Sequence, residues 1–166
     1  MRLEKFNTSI HYKGLKTFDC GNEMINRFVK KSLKKRVKRH FSQAYVLLEN
    51  DTFIGFYTLE TFSIAREIFE SYPTSSTPPP LVSVIKLGML GVDRSFQGKG
   101  IGRKLLRDAL VNVVDISEIA GCMGLYLLAE EEAIPFYEQL GFEALKEQRP
   151  LPMFLSIETI IQSIKG

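Results

Sequence analysis

The sequence predicts an α/β domain built around a mixed sheet. Two apolar segments, QAYVLLE and TFIGFYTLE, flank Asn50-Asp51 and read as an early antiparallel hairpin. Beyond residue 80 the chain alternates strand, helix, strand, helix and strand patterns, the mark of an α/β arrangement. Between the first of those strands and its helix lies a glycine-dense corner, RSFQGKGIG.

The 166 residues suit one domain, 1–166, long enough to bury a core. Hydrophobic residues at 45% and charged residues at 25% match ordinary globular chains. No stretch approaches the ~18 consecutive apolar residues of a membrane span. The opening MRLEKFNTSIHYKG has no apolar core, so no secretory signal is expected there. Cys20 and Cys122 form neither a disulfide framework nor a metal-ligand spacing, and no metal is expected. A reduced, cytoplasmic protein follows from these readings.

In chain order, Ile25, Val29, Leu33, Val37 and Phe41 recur every four residues, with Met24 and Phe28 beside them. They predict one amphipathic helix, capped by Asp19 or Asn22, with its basic residues on the other faces. The hairpin follows. SYPTSSTPPP, residues 71–80, is a loop by composition. LVSVIKLGMLGV reads as a long strand in which Gly88 and Gly91 mark a bulge or a close backbone approach. Ile101, Leu105, Ala109 and Val113, flanked by Leu106 and Leu110, supply the buried face of the next helix. GLYLLAE is a strand, EEAIPFYEQL a short helix stopped by Gly141, and GFEALKE and MFLSIETII read as the last two strands.

The charge is uneven. Net charge is +3, yet Lys30, Lys31, Lys34, Lys35, Arg36, Lys38 and Arg39 crowd into ten positions with no acid among them. Without them the remainder is net −4. Such a patch is either a solvated helix face or the footprint of a polyanion.

The glycine corner fits neither of two familiar phosphate loops. A P-loop needs Gly-x-x-x-x-Gly-Lys-Ser/Thr; here Asp93 stands at the first glycine and Gly100 follows Lys99. A dinucleotide fingerprint needs Gly-x-Gly-x-x-Gly, and Arg103 stands where the third glycine belongs. What remains is physics common to both: bare backbone and a helix start attract phosphate.

Gln97-Gly98-Lys99-Gly100-Ile101-Gly102 resembles the Gln/Arg-x-x-Gly-x-Gly/Ala hallmark of the GNAT acetyltransferases. Ala133, Phe136, Tyr137, Gly141 and Phe142 are similar to a second segment of that family, Ala-x-x-Phe-Tyr-x-x-x-Gly-Phe. The resemblance implies a mixed central sheet of about six to seven strands with helices on both faces, and acetyl-CoA as cofactor. It implies that the diphosphate rests on backbone amides of Gln97, Gly98, Lys99, Gly100, Ile101 and Gly102, with pantetheine along Leu90, Gly91 and Val92. Many members carry an Asn before the Phe-Tyr helix; Glu130-Glu131-Glu132 stands there instead.

Phe18, Cys20, Gly21, Asn26 and Phe28 extend the likeness to GNAT toxins of bacterial toxin–antitoxin pairs, with Val29 in place of a Leu. GMLGVDRSFQGKGIGRKLLRDAL and PLPMFLSIETI add to it. That likeness implies acetylation of the α-amino group of aminoacyl-tRNA, a ribbon–helix–helix antitoxin partner and a homodimer. The basic residues, with Arg94, are then the expected tRNA contacts. Other readings are a GNAT acting on a small amine or a protein lysine, and a non-catalytic CoA-binding protein. Tyr137 is the candidate general acid toward the departing thiolate, against a purely packing role one turn from Leu140. Glu130–Glu132 fit a helix start better than a proton relay. His11 and His40 lack partner patterns, and Cys20 lacks a base that would make it a nucleophile.

Overall fold

The computed structural model describes residues 1–165. It comprises seven strands: β1 (Arg2–Lys5), β2 (Gln43–Glu49), β3 (Thr52–Ala65), β4 (Leu81–Val92), β5 (Gly124–Ala129), β6 (Glu143–Ala144) and β7 (Leu151–Ser156). Five α-helices accompany them among the described residues: α1 (Glu23–Lys31), α2 (Leu33–Lys38), α3 (Ile101–Ile119), α4 (Ile134–Gln139) and α5 (Ile157–Lys165). The sheet is mixed and runs β1-β2-β3-β4-β5-β7-β6. The chain divides into two compact units, Met1–Glu60 with Leu87–Ala109, and Thr61–Lys86 with Leu110–Gly166.

In the first unit β1 and β2 pair antiparallel, Arg2 opposite Leu48 and Lys5 opposite Tyr45. β2 and β3 form the expected hairpin. Asn50 and Asp51 turn it with φ of 50° and 64°, both in the left-handed region that a two-residue hairpin turn requires. Val29, Leu33 and Val37 cover Val46, Phe53 and Phe56. The Phe18 ring stands edge-on to Phe53 and Phe56, at 5.2 and 5.8 Å between centroids. A fully buried side chain such as Leu33 contributes about 1.5–3 kcal/mol relative to exposure.

In the second unit β5 and β7 are antiparallel, and β6 adds to the far side of β7. Phe154 collects Phe69 and Tyr72 edge-on at 5.0 and 5.1 Å. The 71–80 loop is irregular as composition predicts, and the Arg66 amide donates to the Pro80 carbonyl at 3.1 Å across its neck.

Several expectations are corrected. The single helix through Phe41 is two, broken at Ser32 (φ −122°, ψ −31°). Lys30/Lys34, Lys31/Lys35, Lys34/Lys38 and Lys35/Arg39 are like charges four apart, which destabilise a continuous helix. Phe41 lies past the end of α2 and is 58% exposed; Met24 is exposed as well. MFLSIETII is not one strand. Ser156 ends β7, and its Oγ accepts from the Thr159 amide at 3.2 Å, starting α5. The strand expected over GFEALKE shrinks to Glu143–Ala144. Four residues with two exposed ends carry little alternation, so β1 leaves no strand signal in the sequence.

Candidate active site

β4 leads into a 3-10 turn at Arg94–Phe96, an extended Gln97 and then α3. Gly98 and Gly100 bridge the gap with φ of +77° and +78°. A Cβ on either would meet nothing within 4 Å, so glycine is required there by backbone conformation, not by crowding. The Lys104 amide bonds to the Gly100 carbonyl at 3.2 Å, the first turn of the helix. Outside regular elements, no hydrogen bond among the described residues takes up the N–H groups of residues 98–102. First-turn amides have no carbonyl four residues back, and the helix dipole makes this end positive. Open, donor-rich backbone of this kind fits a diphosphate. Lys99 lies beside it, its Nζ 5.2 Å from the Phe96 ring centroid.

A polar clamp holds the turn. The Gln97 carboxamide donates to the Val92 and Cys20 carbonyls, each at 2.8 Å. Asp93 accepts from the Ser95 amide at 3.0 Å and from the Asp19 amide at 3.2 Å. The Arg94 amide donates to the Asp19 carbonyl at 2.9 Å, and its guanidinium lies 3.7 Å from the Asp19 carboxylate. Asp19 in turn accepts from the Gly21 amide and the Asn26 side chain, both at 2.9 Å, which hold it below the usual carboxylate range. Buried Asn26 completes the circuit by accepting from the Cys20 amide at 2.8 Å. The resemblance puts the Gln97 backbone amide at the diphosphate; in the fold that amide donates to the Arg94 carbonyl at 3.3 Å, and the side chain braces the turn. Arg94, expected at the RNA, keeps its side chain largely exposed, with the guanidinium near Asp19.

Leu90, Gly91 and Val92 end β4. A Cβ at Gly91 would meet Ile25, Phe56 and Phe18 at 3.1–3.4 Å, so α1 seats directly on this strand. Gly88 is equally tight, its missing Cβ leaving room for Thr58 Oγ1 and Glu60. Thr58 Oγ1 accepts from the Met89 amide at 2.9 Å. The sequence predicts a bulge or a close backbone approach at these glycines; what approaches each of them is side chains.

Asn22, not Asp19, caps α1, accepting from the Ile25 amide at 3.1 Å. Lys30, Lys31, Lys34, Lys35, Lys38 and Arg39 stand exposed on α1, α2 and the residue after it. Arg36 differs: it is bound to Glu60 at 2.8 Å and to Ser42 Oγ at 3.0 Å. The charge asymmetry extends beyond this helix pair. The first unit holds 17 of the 22 basic and eight of the 19 acidic residues, net +9; the second holds five and eleven, net −6.

Tyr137 belongs to the second unit, on α4, 9% exposed. Its ring stands edge-on to Phe136 and Phe142 at 5.1 and 5.5 Å. Burial pushes its phenol up to about 12. The hydroxyl makes no hydrogen bond among the described residues, and no enclosed side-chain oxygen there lacks a partner. The ring is therefore enclosed while its tip stays accessible. Glu131, just before α4, is tied to Arg149 and is not a free relay. Burial raises the Cys20 thiol, the wrong direction for a nucleophile. His11 and His40 are exposed. A separate cleft of about 620 Å³ under the 72–83 segment holds none of these residues.

Comparison with known proteins bears on this geometry. The chain is 30% identical over 160 residues, 90% of its length and 87% of the relative's, to a probable toxin TacT of Sinorhizobium fredii. It is 30% identical over 140 residues, 84% of the chain and 83% of the relative, to a tRNA-acetylating toxin of Mycobacterium tuberculosis. A crystal structure of a bacterial toxin superposes with a TM-score of 0.95 at 33% identity, covering 99% of this chain and 95% of that one. AtaT complexed with acetyl-methionyl-tRNAfMet superposes at 0.87 with 29% identity, covering 98% of each chain. A tyrosine-to-phenylalanine mutant of AtaT, bound to the C-terminus of the antitoxin AtaR and to acetyl-CoA, gives 0.84 at 27% identity, covering 99% and 98%. Among the described residues no helix is long and apolar enough to cross a membrane. Residues 40–144, which contain the strand, the glycine turn, its helix and Tyr137, match the acetyltransferase (GNAT) domain, and to that family the chain belongs.

Proposed function

We propose that this protein is a toxin that acetylates the α-amino group of aminoacyl-tRNA, so that the amino acid can no longer be used in translation. The observation that carries this reading is the first unit itself. It carries both seven exposed cations, on α1, α2 and Arg39, and a glycine turn whose open backbone suits a diphosphate. Cations meeting phosphates supply most nucleic-acid affinity, and the relatives named for tRNA acetylation point to the same substrate.

Acetyl-CoA supplies an acetyl group activated as a thioester. Backbone amides of Gly98, Lys99, Gly100, Ile101 and Gly102 bind its diphosphate, Leu90, Gly91 and Val92 line pantetheine, and Gln97, whose own amide donates to the Arg94 carbonyl, braces the turn. The attacking group is an α-amine, whose ordinary pKa near ~7.7–8.0 leaves it partly neutral at cellular pH, unlike lysine at ~10.4. Electron withdrawal by the ester lowers it further, so no strong base is required. As the amine adds to the thioester carbonyl and the C–S bond breaks, Tyr137 delivers its phenol proton to the departing sulfur, and the proton shed by the new amide nitrogen passes to solvent, from which the phenol is reprotonated. A small ribbon–helix–helix antitoxin restrains the enzyme, which works as a cytoplasmic homodimer; free Cys20 and Cys122 suit that compartment.

Incubation with labelled acetyl-CoA and, separately, charged tRNA, uncharged tRNA, lysine peptides and spermidine tests the substrate. Label is expected on charged tRNA alone. Label confined to peptides or spermidine would make the protein a different GNAT enzyme, and no label anywhere would make it a CoA binder.

A further inference from the structure

The sequence pattern places Phe41 in the core, and the structure leaves it 58% exposed, two residues after the most basic run of the chain. Its backbone is not loose. His40 adopts a left-handed φ of 63° and reverses the chain after α2. The Phe41 and Ser42 amides then donate to the Arg36 carbonyl, at 2.9 and 3.4 Å. The Arg36 guanidinium carbon lies 5.8 Å from the Phe41 ring centroid. That guanidinium is itself fixed, by Glu60 at 2.8 Å and by Ser42 Oγ at 3.0 Å. One side of the ring is thus backed by an immobilised cation, and more than half of the residue is open to water. Phe41 is absent from the core cluster of its unit, so packing does not account for it.

Exposed Lys34, Lys35, Lys38 and Arg39 stand close to it in sequence. Cations that take phosphates, interleaved with an accessible aromatic face that takes a base, are the equipment for gripping an unpaired strand. Within a duplex every base face is stacked on its neighbours, and only the two end pairs expose one. We infer that Phe41, backed by Arg36, is a stacking platform for an unpaired nucleobase of the RNA substrate. This rests on the tRNA reading above and adds to it a requirement for single-stranded RNA at the end of α2.

The chain has six tyrosines and no tryptophan, so Phe41→Trp creates a single indole whose emission is read apart from theirs. Titration of this variant with a short single-stranded RNA and with charged tRNA is expected to quench its emission. A blunt RNA duplex with the same number of phosphates leaves emission unchanged. Phe41→Ala is expected to weaken single-stranded RNA and charged tRNA by roughly five- to a hundred-fold, while Phe41→Trp retains wild-type affinity. CoA affinity and thermal midpoint stay unchanged in both. Phe41→Ala binding within twofold of wild type, or unmoved emission at saturating RNA, overturns the platform and leaves tRNA acetylation standing. Weakened capture of a protein partner with RNA affinity intact assigns the surface to protein and equally overturns it. If the wild-type protein binds no RNA at all, the tRNA reading fails first, and the platform falls with it.

Discussion

Gln97 reaches the carbonyl oxygen of Cys20, 77 positions earlier in the chain, with a 2.8 Å hydrogen bond from its carboxamide. The same nitrogen donates to Val92 at 2.8 Å. One side chain therefore joins three segments: the loop before α1, the end of β4 and the glycine turn. A hallmark glutamine that looks like a ligand in the sequence is a brace in the fold.

Gln97→Ala removes two bonds worth together about 1–3 kcal/mol. Calorimetry with CoA is expected to show affinity reduced roughly tenfold, because the amides of the turn lose their fixed direction. Gln97→Glu places a carboxylate against two carbonyls and is expected to melt at a lower temperature than Gln97→Ala. Equal CoA affinity in all three proteins would return Gln97 to an incidental role.

Tyr137→Phe is expected to lower kcat by about 10²–10⁴-fold with CoA affinity preserved. With its pKa pushed up to about 12, the phenol stays protonated through ordinary assay pH. The wild-type rate should therefore rise as the substrate amine deprotonates and show no alkaline fall up to about pH 10. The folded pKa lies above the unfolded value of 10, so the associated stability is complete below pH 10 and is lost as pH rises toward 12. The loss is on the order of 3 kcal/mol, and Tyr137→Phe should lack that component in alkaline unfolding curves.

Two glycines should respond oppositely to alanine. Gly98→Ala forces a Cβ into φ +77° with nothing to clash against, a backbone cost of about 1–2 kcal/mol. It should fold, with weaker CoA binding. Gly124→Ala would drive its Cβ into the Leu155 carbonyl and the Phe154 ring across the β5–β7 pair. It should fail to accumulate as folded protein. Thermal melts and expression yield separate the two.

Among the cations, Lys34 and Arg36 should behave differently. Lys34→Ala is expected to reduce the salt dependence of tRNA binding by about 0.7–0.9 in log–log slope if it meets one phosphate. Arg36→Ala breaks the pair with Glu60 and should lower stability in urea by about 1 kcal/mol or less. A steeper slope change for Arg36 than for Lys34 would reverse the assignment.

Periodicity located α3 because it buries one face over several turns; β4 and β5 were legible as apolar runs between turn residues, and α4 as a short segment stopped by Gly141. The Asn50-Asp51 turn was legible because few dipeptides tolerate two left-handed residues. The glycine turn was legible as chemistry, since φ +77° and +78° exclude most side chains. The clamp was not. Asp19, Asn26, Asp93 and Gln97 meet only when the chain folds, and no spacing announces contacts over 74 or 77 positions. The α5 helix hid inside an apolar run because Ile157, Ile160, Ile161 and Ile164 suit either strand or helix; the Ser156 cap decides between them. Phe41 fits a helical period that stops three residues before it.

The division of charge between the two units has a practical corollary. A protein of net charge +3 should leave a cation exchanger at low salt. Local potential, not the total, governs adsorption, and the +9 unit presents itself to a phosphate resin as a polycation. The same preparation should also be retained on an amine resin through its −6 unit. Retention on both media is the chromatographic trace of a molecule whose opposite charges are sorted rather than mixed.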